Sequence, residues 1–257
     1  MTAPSSQIDP TPQYTSCWLP APYRQTLAYR VGGSGRPVVL LHGLWNSSGL
    51  WQPAMEHLSA HYRLYAPDLP AHGQTPPRLP WKLREVAALL ASWMRSLALP
   101  PATVIGHSMG GALAIMLAAA EPALVNRLAL VNAAGLPMQQ PFLQALVRTG
   151  MNFTGSQTAR YNTRYGRPNR LQALAIWQAT HEVLNCDVRA DLKAIRCPTL
   201  IVWGMRDPLL PVRSAVALQR AIPGAELALL PNVRHQVPRH APAVLHTILD
   251  DFLARRD

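Results

Sequence analysis

The sequence predicts an α/β fold: a mostly parallel central sheet flanked by helices, with a helical insertion late in the chain. Three observations predict it. Short apolar runs with the length of buried strands recur at 37–41, 62–68, 127–131, 198–203 and 226–230. Helix-prone stretches alternate with them, near 50–60, 82–99, 112–120 and 212–221, and such alternation is the pattern of a parallel sheet. Third, Thr103-Val104-Ile105 runs through Gly106-His107-Ser108-Met109-Gly110-Gly111 directly into a helix-prone stretch, a strand-to-helix turn with a serine at its tip.

That turn has the Gly-x-Ser-x-Gly pattern of a nucleophile elbow. A serine on so tight a turn is held in a strained backbone conformation. Residues two positions away must be small, so that strand and helix can pass close together. The turn would lift the Ser108 hydroxyl above the sheet edge, at a helix N-terminus that favours developing negative charge.

A nucleophile needs a base, and the base an orienting acid. The chain supplies both downstream. The strand at 198–203 runs into Gly204-Met205-Arg206-Asp207, so Asp207 lies just past its carboxyl end. The strand at 226–230 leads to Pro231-Asn232-Val233-Arg234-His235, which puts His235 at a third strand end. Side chains at the carboxyl ends of parallel strands converge on the crevice where open α/β sheets bind ligands. Upstream, the strand at 37–41 ends in His42-Gly43-Leu44-Trp45-Asn46. The Leu44 amide, with Trp45 as second choice, and the Met109 amide are the expected oxyanion donors.

These pieces carry a resemblance. His42-Gly43, Asp68-Leu69-Pro70-Ala71-His72-Gly73, the elbow at 106–110, Trp203-Gly204-Met205-Arg206-Asp207, and His235 with Pro242 after it resemble the α/β-hydrolase fold superfamily. Within it, the chain is similar to small bacterial carboxylesterases and acyl-ester hydrolases. The resemblance spans residue 38 to the C-terminus. It implies a Ser108–Asp207–His235 triad, no cofactor, and a small-molecule ester as substrate. Three positions depart from the family pattern: Arg234 and Ala71 stand where glycine is usual, and His240 where glutamate is frequent.

The other reactive side chains receive structural readings. His42, before the oxyanion turn, is expected to hold the backbone by hydrogen bonding, and His72 to tie down its loop. His107 neighbours the serine but faces the other way along the strand. Asp68 rivals Asp207 as the acid because it too ends a strand, but it precedes Ser108, against the usual order. Some relatives place the acid after the strand that follows the elbow helix; here that position reads Asn132-Ala133 and holds no carboxylate. No cluster of histidines and cysteines has metal-ligand spacing, so no metal is expected.

The 257 residues suit one domain. No apolar run reaches the roughly 20 residues that span a bilayer. Residues 1–13 read as a loose tail without signal-peptide character. Cys17, Cys186 and Cys197 are scattered and odd in number, which points to a reducing, cytoplasmic setting. The net charge of +11 is nearly all arginine, with only Lys82 and Lys193 as lysines. Arg148, Arg160, Arg164, Arg167 and Arg170 form one acid-free concentration, interleaved with aromatic residues. No nucleic-acid motif accompanies it. A solvated basic face is the default, with weak attraction to anionic lipid or anionic substrate as the functional alternative.

The expected core comprises residues 14–134 and 196–257. Residues 135–195 form an expected cap over the crevice, with helical stretches at 142–149 and 171–184. Phe142, Leu146, Met151 and Trp177 from the cap, with Trp45, His107 and Gln236 from the core, are the expected pocket wall. The resulting expectation is a serine hydrolase of carboxylic esters with a hydrophobic portion, working through an acyl-enzyme. An acyltransferase or a cofactor-free perhydrolase could use the same triad. Carbon–carbon hydrolysis is disfavoured by His107 and Gln236, and a non-catalytic receptor by the intact triad.

Overall fold

Alternate residues along the central strands feed two separate apolar cores, one on each face of the sheet. A computed structural model describes residues 12–137 and 168–255 of the chain. Its sheet has eight strands: β1 (Gln13–Leu19), β2 (Gln25–Gly32), β3 (Arg36–Leu41), β4 (Tyr62–Pro67), β5 (Ala102–His107), β6 (Val125–Val131), β7 (Thr199–Gly204) and β8 (Glu226–Leu230), in the order β1-β2-β4-β3-β5-β6-β7-β8. From β4 to β8 every pairing is parallel, and β2 runs against both of its neighbours.

Val39, Leu41, Val104, Leu128, Leu130, Ile201 and Trp203 face one core. Val38, Leu40, Ile105, Ala129, Val131, Leu200 and Val202 face the other. This two-sided burial explains why these strands read as continuous apolar runs. The first core is covered by α2 (Leu83–Ser96), α3 (Met109–Ala120), α4 (Arg170–Leu184), α5 (Arg189–Leu192) and α6 (Val212–Ala221). The second is covered by α1 (Gln52–Leu58) and α8 (Pro242–Ala254), while α7 (Val237–His240) contributes Val237.

The observed elements lie close to those read from the sequence, with instructive differences. The stretch at 50–60 divides into a 3₁₀ turn, Ser48–Trp51, and α1. Helix α3 starts at Met109 rather than 112, because Gly110 and Gly111 sit inside it where neighbouring chain leaves no room for a side chain. Strand β1 opens at Gln13, paired with Val31, so the expected tail gives up its last residue to the sheet. The expected helix at 142–149 lies outside the described residues, as do Phe142, Leu146, Met151, Arg148, Arg160, Arg164 and Arg167. Among the described residues no helix is long and apolar enough to cross a membrane, and all three cysteines are free.

Asp68 joins three segments on the β1 side of the sheet. It is fully buried. Its Oδ1 accepts the Ser48 amide at 2.7 Å, and its Oδ2 accepts the Gln74 amide at 2.9 Å and the Tyr14 hydroxyl at 3.2 Å. The loop it closes carries Ala71 at φ 69°, which is where the related family uses glycine: a left-handed conformation costs an L-residue roughly 1–2 kcal/mol. Asp68→Asn would present an amide N–H₂ to one of these donors. We expect a loss of about 1–3 kcal/mol, seen in calorimetry as a melting temperature lower by roughly 2–4 °C per kcal/mol.

Candidate functional site

The site is built on the carboxyl ends of β5, β6, β7 and β8, four consecutive strands of the sheet. Ser108 follows β5 directly, with φ 53° and ψ −118°. This is strained backbone for a residue with a side chain. The strain is held by packing. A Cβ on Gly106 would lie 2.3 Å from the Gly110 carbonyl oxygen, and one on Gly110 would lie 2.3 Å from the Leu41 carbonyl oxygen. Only glycine allows β5, α3 and β3 to approach this closely. The Ser108 amide donates to the Val131 carbonyl at 3.1 Å, and its carbonyl accepts the Ala134 amide at 2.9 Å. The serine is thereby tied to the end of β6.

A chain of hydrogen bonds links the three sequence-predicted side chains. His235 Nε2 lies 3.0 Å from Ser108 Oγ, and His235 Nδ1 lies 2.7 Å from Asp207 Oδ2. Asp207 is acceptor-only, so the Nδ1 nitrogen carries the hydrogen and Nε2 is left to accept the serine O–H. Asp207 occupies the loop after β7. Its Oδ1 accepts the Leu209 amide at 2.8 Å and the Leu210 amide at 3.0 Å. Burial alone would push this carboxyl up. The electrostatic pull of the adjacent His235 ring and the hydrogen bonds from His235 and the two amides outweigh burial and hold it below its ordinary value. The arrangement therefore keeps an ionised acceptor behind an imidazole whose free nitrogen meets a hydroxyl. Such a set can remove the hydroxyl proton as the oxygen attacks an electrophile.

Leu44 and Trp45 form a turn closed by the Asn46 amide on the Gly43 carbonyl at 3.2 Å, with Trp45 at φ 58°. Both side chains are partly buried against the core. The Leu44 amide and the Met109 amide, at the first turn of α3, have no partner among the described residues. His42 steadies this turn: its Nδ1–H donates to the Gly43 carbonyl at 2.8 Å, and its Nε2 accepts the Leu69 amide at 3.0 Å. His72 donates to the Pro70 carbonyl at 3.0 Å within its own loop.

His107 is buried, with its ring centroid 4.9 Å from that of His235. Its Nε2–H donates to the His235 carbonyl at 2.9 Å, so it grips the backbone of the residue that meets Ser108. Gln236 is buried and opens α7. Trp177 stands apart from the others: it is 63% exposed on α4, with its indole stacked on His181. Helix α4 is docked on the core through Gln172 to the Ala71 carbonyl at 3.1 Å, and Gln178 to the Trp81 amide at 2.7 Å. Among the described residues no group of histidine, cysteine or acidic side chains could hold a metal.

Sequence reasoning missed Asn132. The sequence marks this position only by its lack of a carboxylate, yet its Nδ2 donates to Asp207 Oδ2 at 2.5 Å. The available signal was an amide side chain on the first residue past a strand end, beside the strand that delivers the acid. The grip of His107 on the His235 backbone left no trace in the sequence.

Residues 38–247 match the alpha/beta hydrolase family. The chain belongs to this family. A relative in it is the pimeloyl-[acyl-carrier protein] methyl ester esterase of Nitrosospira multiformis, 30% identical over 79% of this chain and 89% of the relative. Among solved structures, an esterase from Exiguobacterium antarcticum superposes with a TM-score of 0.81 at 20% identity, covering 94% of this chain and 99% of the other. The enol-lactonase from Burkholderia xenovorans does so at 0.79 and 20% identity, covering 94% and 100%. Esterases and other hydrolases are thus the alpha/beta hydrolases that this chain resembles.

The buried histidines give the site a pH limit. Burial pushes His42 down to about 4, and His72 and His107 down to about 3. All three are neutral in the folded protein at neutral pH. The unfolded chain takes up their protons below pH ~6.5, so their contribution is complete above that pH and lost as pH falls toward 4 and then 3. The slope is about 1.4 kcal/mol per pH unit for each group, or about 4 for the three together near pH 5. Urea denaturation at successive pH values should show this steep loss; a flat profile between pH 6 and 4 would mean the histidines charge without cost.

Proposed function

We propose that this protein is a serine hydrolase that cleaves carboxylic esters with a hydrophobic portion through an acyl-enzyme. The observation that carries the reading is the unbroken hydrogen-bond chain from Ser108 Oγ through His235 to Asp207, on a serine with strained backbone at a helix N-terminus. Ser108 attacks the ester carbonyl while His235 Nε2 takes its proton. The Leu44 and Met109 amides receive the oxyanion as the tetrahedral intermediate forms. His235 then gives the proton to the departing alcohol, leaving the acyl group on Ser108. Water deprotonated by His235 attacks that ester, and the proton returns to Ser108 as the acid leaves. Asp207 stays ionised throughout. It holds the imidazole in the required tautomer and stabilises the imidazolium.

The esterase relative supports an ester as substrate. Segment 135–195 is proposed as a cap that selects the substrate and takes no part in the chemistry, with α4 and α5 as its described portion. The exposed Leu171, Leu174 and Trp177 on α4 leave this helix with an apolar outer face. The arginine concentration is proposed to attract anionic esters or anionic lipid weakly.

A fluorophosphonate probe should label the wild-type protein and leave Ser108→Ala unlabelled; labelling of another serine would sink the assignment. Asp207→Asn should fold normally and lose about 10⁴-fold in kcat. Adding a competing alcohol or thiol tells hydrolysis from acyl transfer by product analysis. For the cap, joint replacement of Arg160, Arg164 and Arg167 by glutamine should spare a small neutral ester. It should weaken turnover of an anionic one, most at low salt, since salt screens exposed charges. Equal behaviour on both substrates would reduce the cluster to a solvated face.

A further inference from the structure

Both polar atoms of Asn132 are spent on the segment that carries Asp207, although the reaction as proposed gives this residue no task. Asn132 is fully buried and directly follows β6. Its backbone is fixed first: φ is 41°, and its amide donates to the Val202 carbonyl at 2.9 Å. Its side-chain Oδ1 then accepts the Gly204 amide at 3.0 Å. Its Nδ2 donates to Asp207 Oδ2 at 2.5 Å.

The Asp207 carboxylate therefore receives four donors of two kinds. Leu209 and Leu210 hold Oδ1 from Asp207's own loop. His235 and Asn132 share Oδ2. Two of the four come from other strands: His235, past β8, exchanges protons in the proposed reaction, whereas Asn132, the first residue past β6, takes no proton at any stage. Without it, the plane of the carboxylate would be set by its own loop and by the imidazole it is meant to orient.

We infer that Asn132 is a positioning residue that fixes the Asp207 carboxylate toward the His235 N–H and acts on the reaction only through Asp207. The inference rests on the proposed triad. The residue type follows from the two contacts. Asparagine carries one acceptor and one donor at fixed separation, as Gly204 N–H and Asp207 require. An aspartate would offer no hydrogen when ionised and would set a like charge against Asp207. A leucine of similar size would leave the buried Gly204 N–H unpaired.

A double-mutant cycle tests this, using Asn132→Ala, Asp207→Asn and both together, with kcat and KM measured on a chromogenic ester. Asn132→Ala removes one hydrogen bond to a charged group, so kcat should fall by about 10- to 100-fold, with KM within about twofold. In the Asp207→Asn background the same substitution should change kcat by less than about twofold. Asn132→Ser, which keeps a donor, should recover part of the loss. The low-field proton resonance of the His235 Nδ1–H should shift or broaden in Asn132→Ala. Equal losses in both backgrounds, or a full-strength resonance and unchanged kcat in Asn132→Ala, would overturn the inference. If Asp207→Asn itself left kcat intact, the triad reading would fail instead. The resonance alone would then decide whether Asn132 governs the Asp207–His235 contact.

Discussion

The rest of the site depends on a close approach of backbone to backbone. The start of α3 is pressed against the ends of β3 and β5, at distances that admit no Cβ on Gly106 or Gly110. Strain at Ser108, of order 1–3 kcal/mol for such backbone, persists because two apolar cores and the bonds to Val131 and Ala134 leave the elbow no relaxed alternative. The contact also fixes which groups can meet. It sets Ser108 directly at the N-terminus of α3. The turn at Gly43 packs against it as well: a Cβ there would lie 3.0 Å from the Ser108 side chain.

Electrostatically, the site separates two treatments of buried polar groups. Asp207 is kept ionised by concentrated donors. The buried histidines His42, His72 and His107 are kept neutral by burial and act as backbone ties. Neutral ties matter here: an imidazolium beside His235 would compete for Asp207 and oppose the positive charge that His235 would carry in the proposed reaction. His107, packed on the His235 ring, holds the residue in place without adding a charge beside it.

Much of this was legible in the sequence because it rests on patterns that one chain segment carries alone. The strands at 37–41 and 198–203 declared themselves through buried runs of strand length, the edge strand at 226–230 through apolar residues of which only Leu230 is buried, and Gly106–Gly110 through the spacing that a tight elbow demands. Ser108, Asp207 and His235 were readable because each ends its own strand. What stayed hidden depends on neighbours in space. Asn132 bonds to the next strand over, and its partner is 75 positions along the chain. His107 bonds to a carbonyl, and backbone acceptors leave no mark on sequence. The early start of α3 was missed because glycine weighs against helix in local propensity, whereas here the packing requires it.

The order of the strands has one more consequence. Ser108 and Asn132 follow β5 and β6; Asp207 and His235 follow β7 and β8. The seam between these pairs is the β6–β7 ladder, from Leu128 opposite Thr199 to Val131 opposite Val202, and in sequence it is bridged by the proposed cap. The proposed nucleophile and base thus belong to different halves of the polypeptide. Neither half holds a complete relay, and the two become one reactive unit only when the ladder closes. The proposed reactivity is in that sense a property of the closed seam, surrendered as soon as the two halves part.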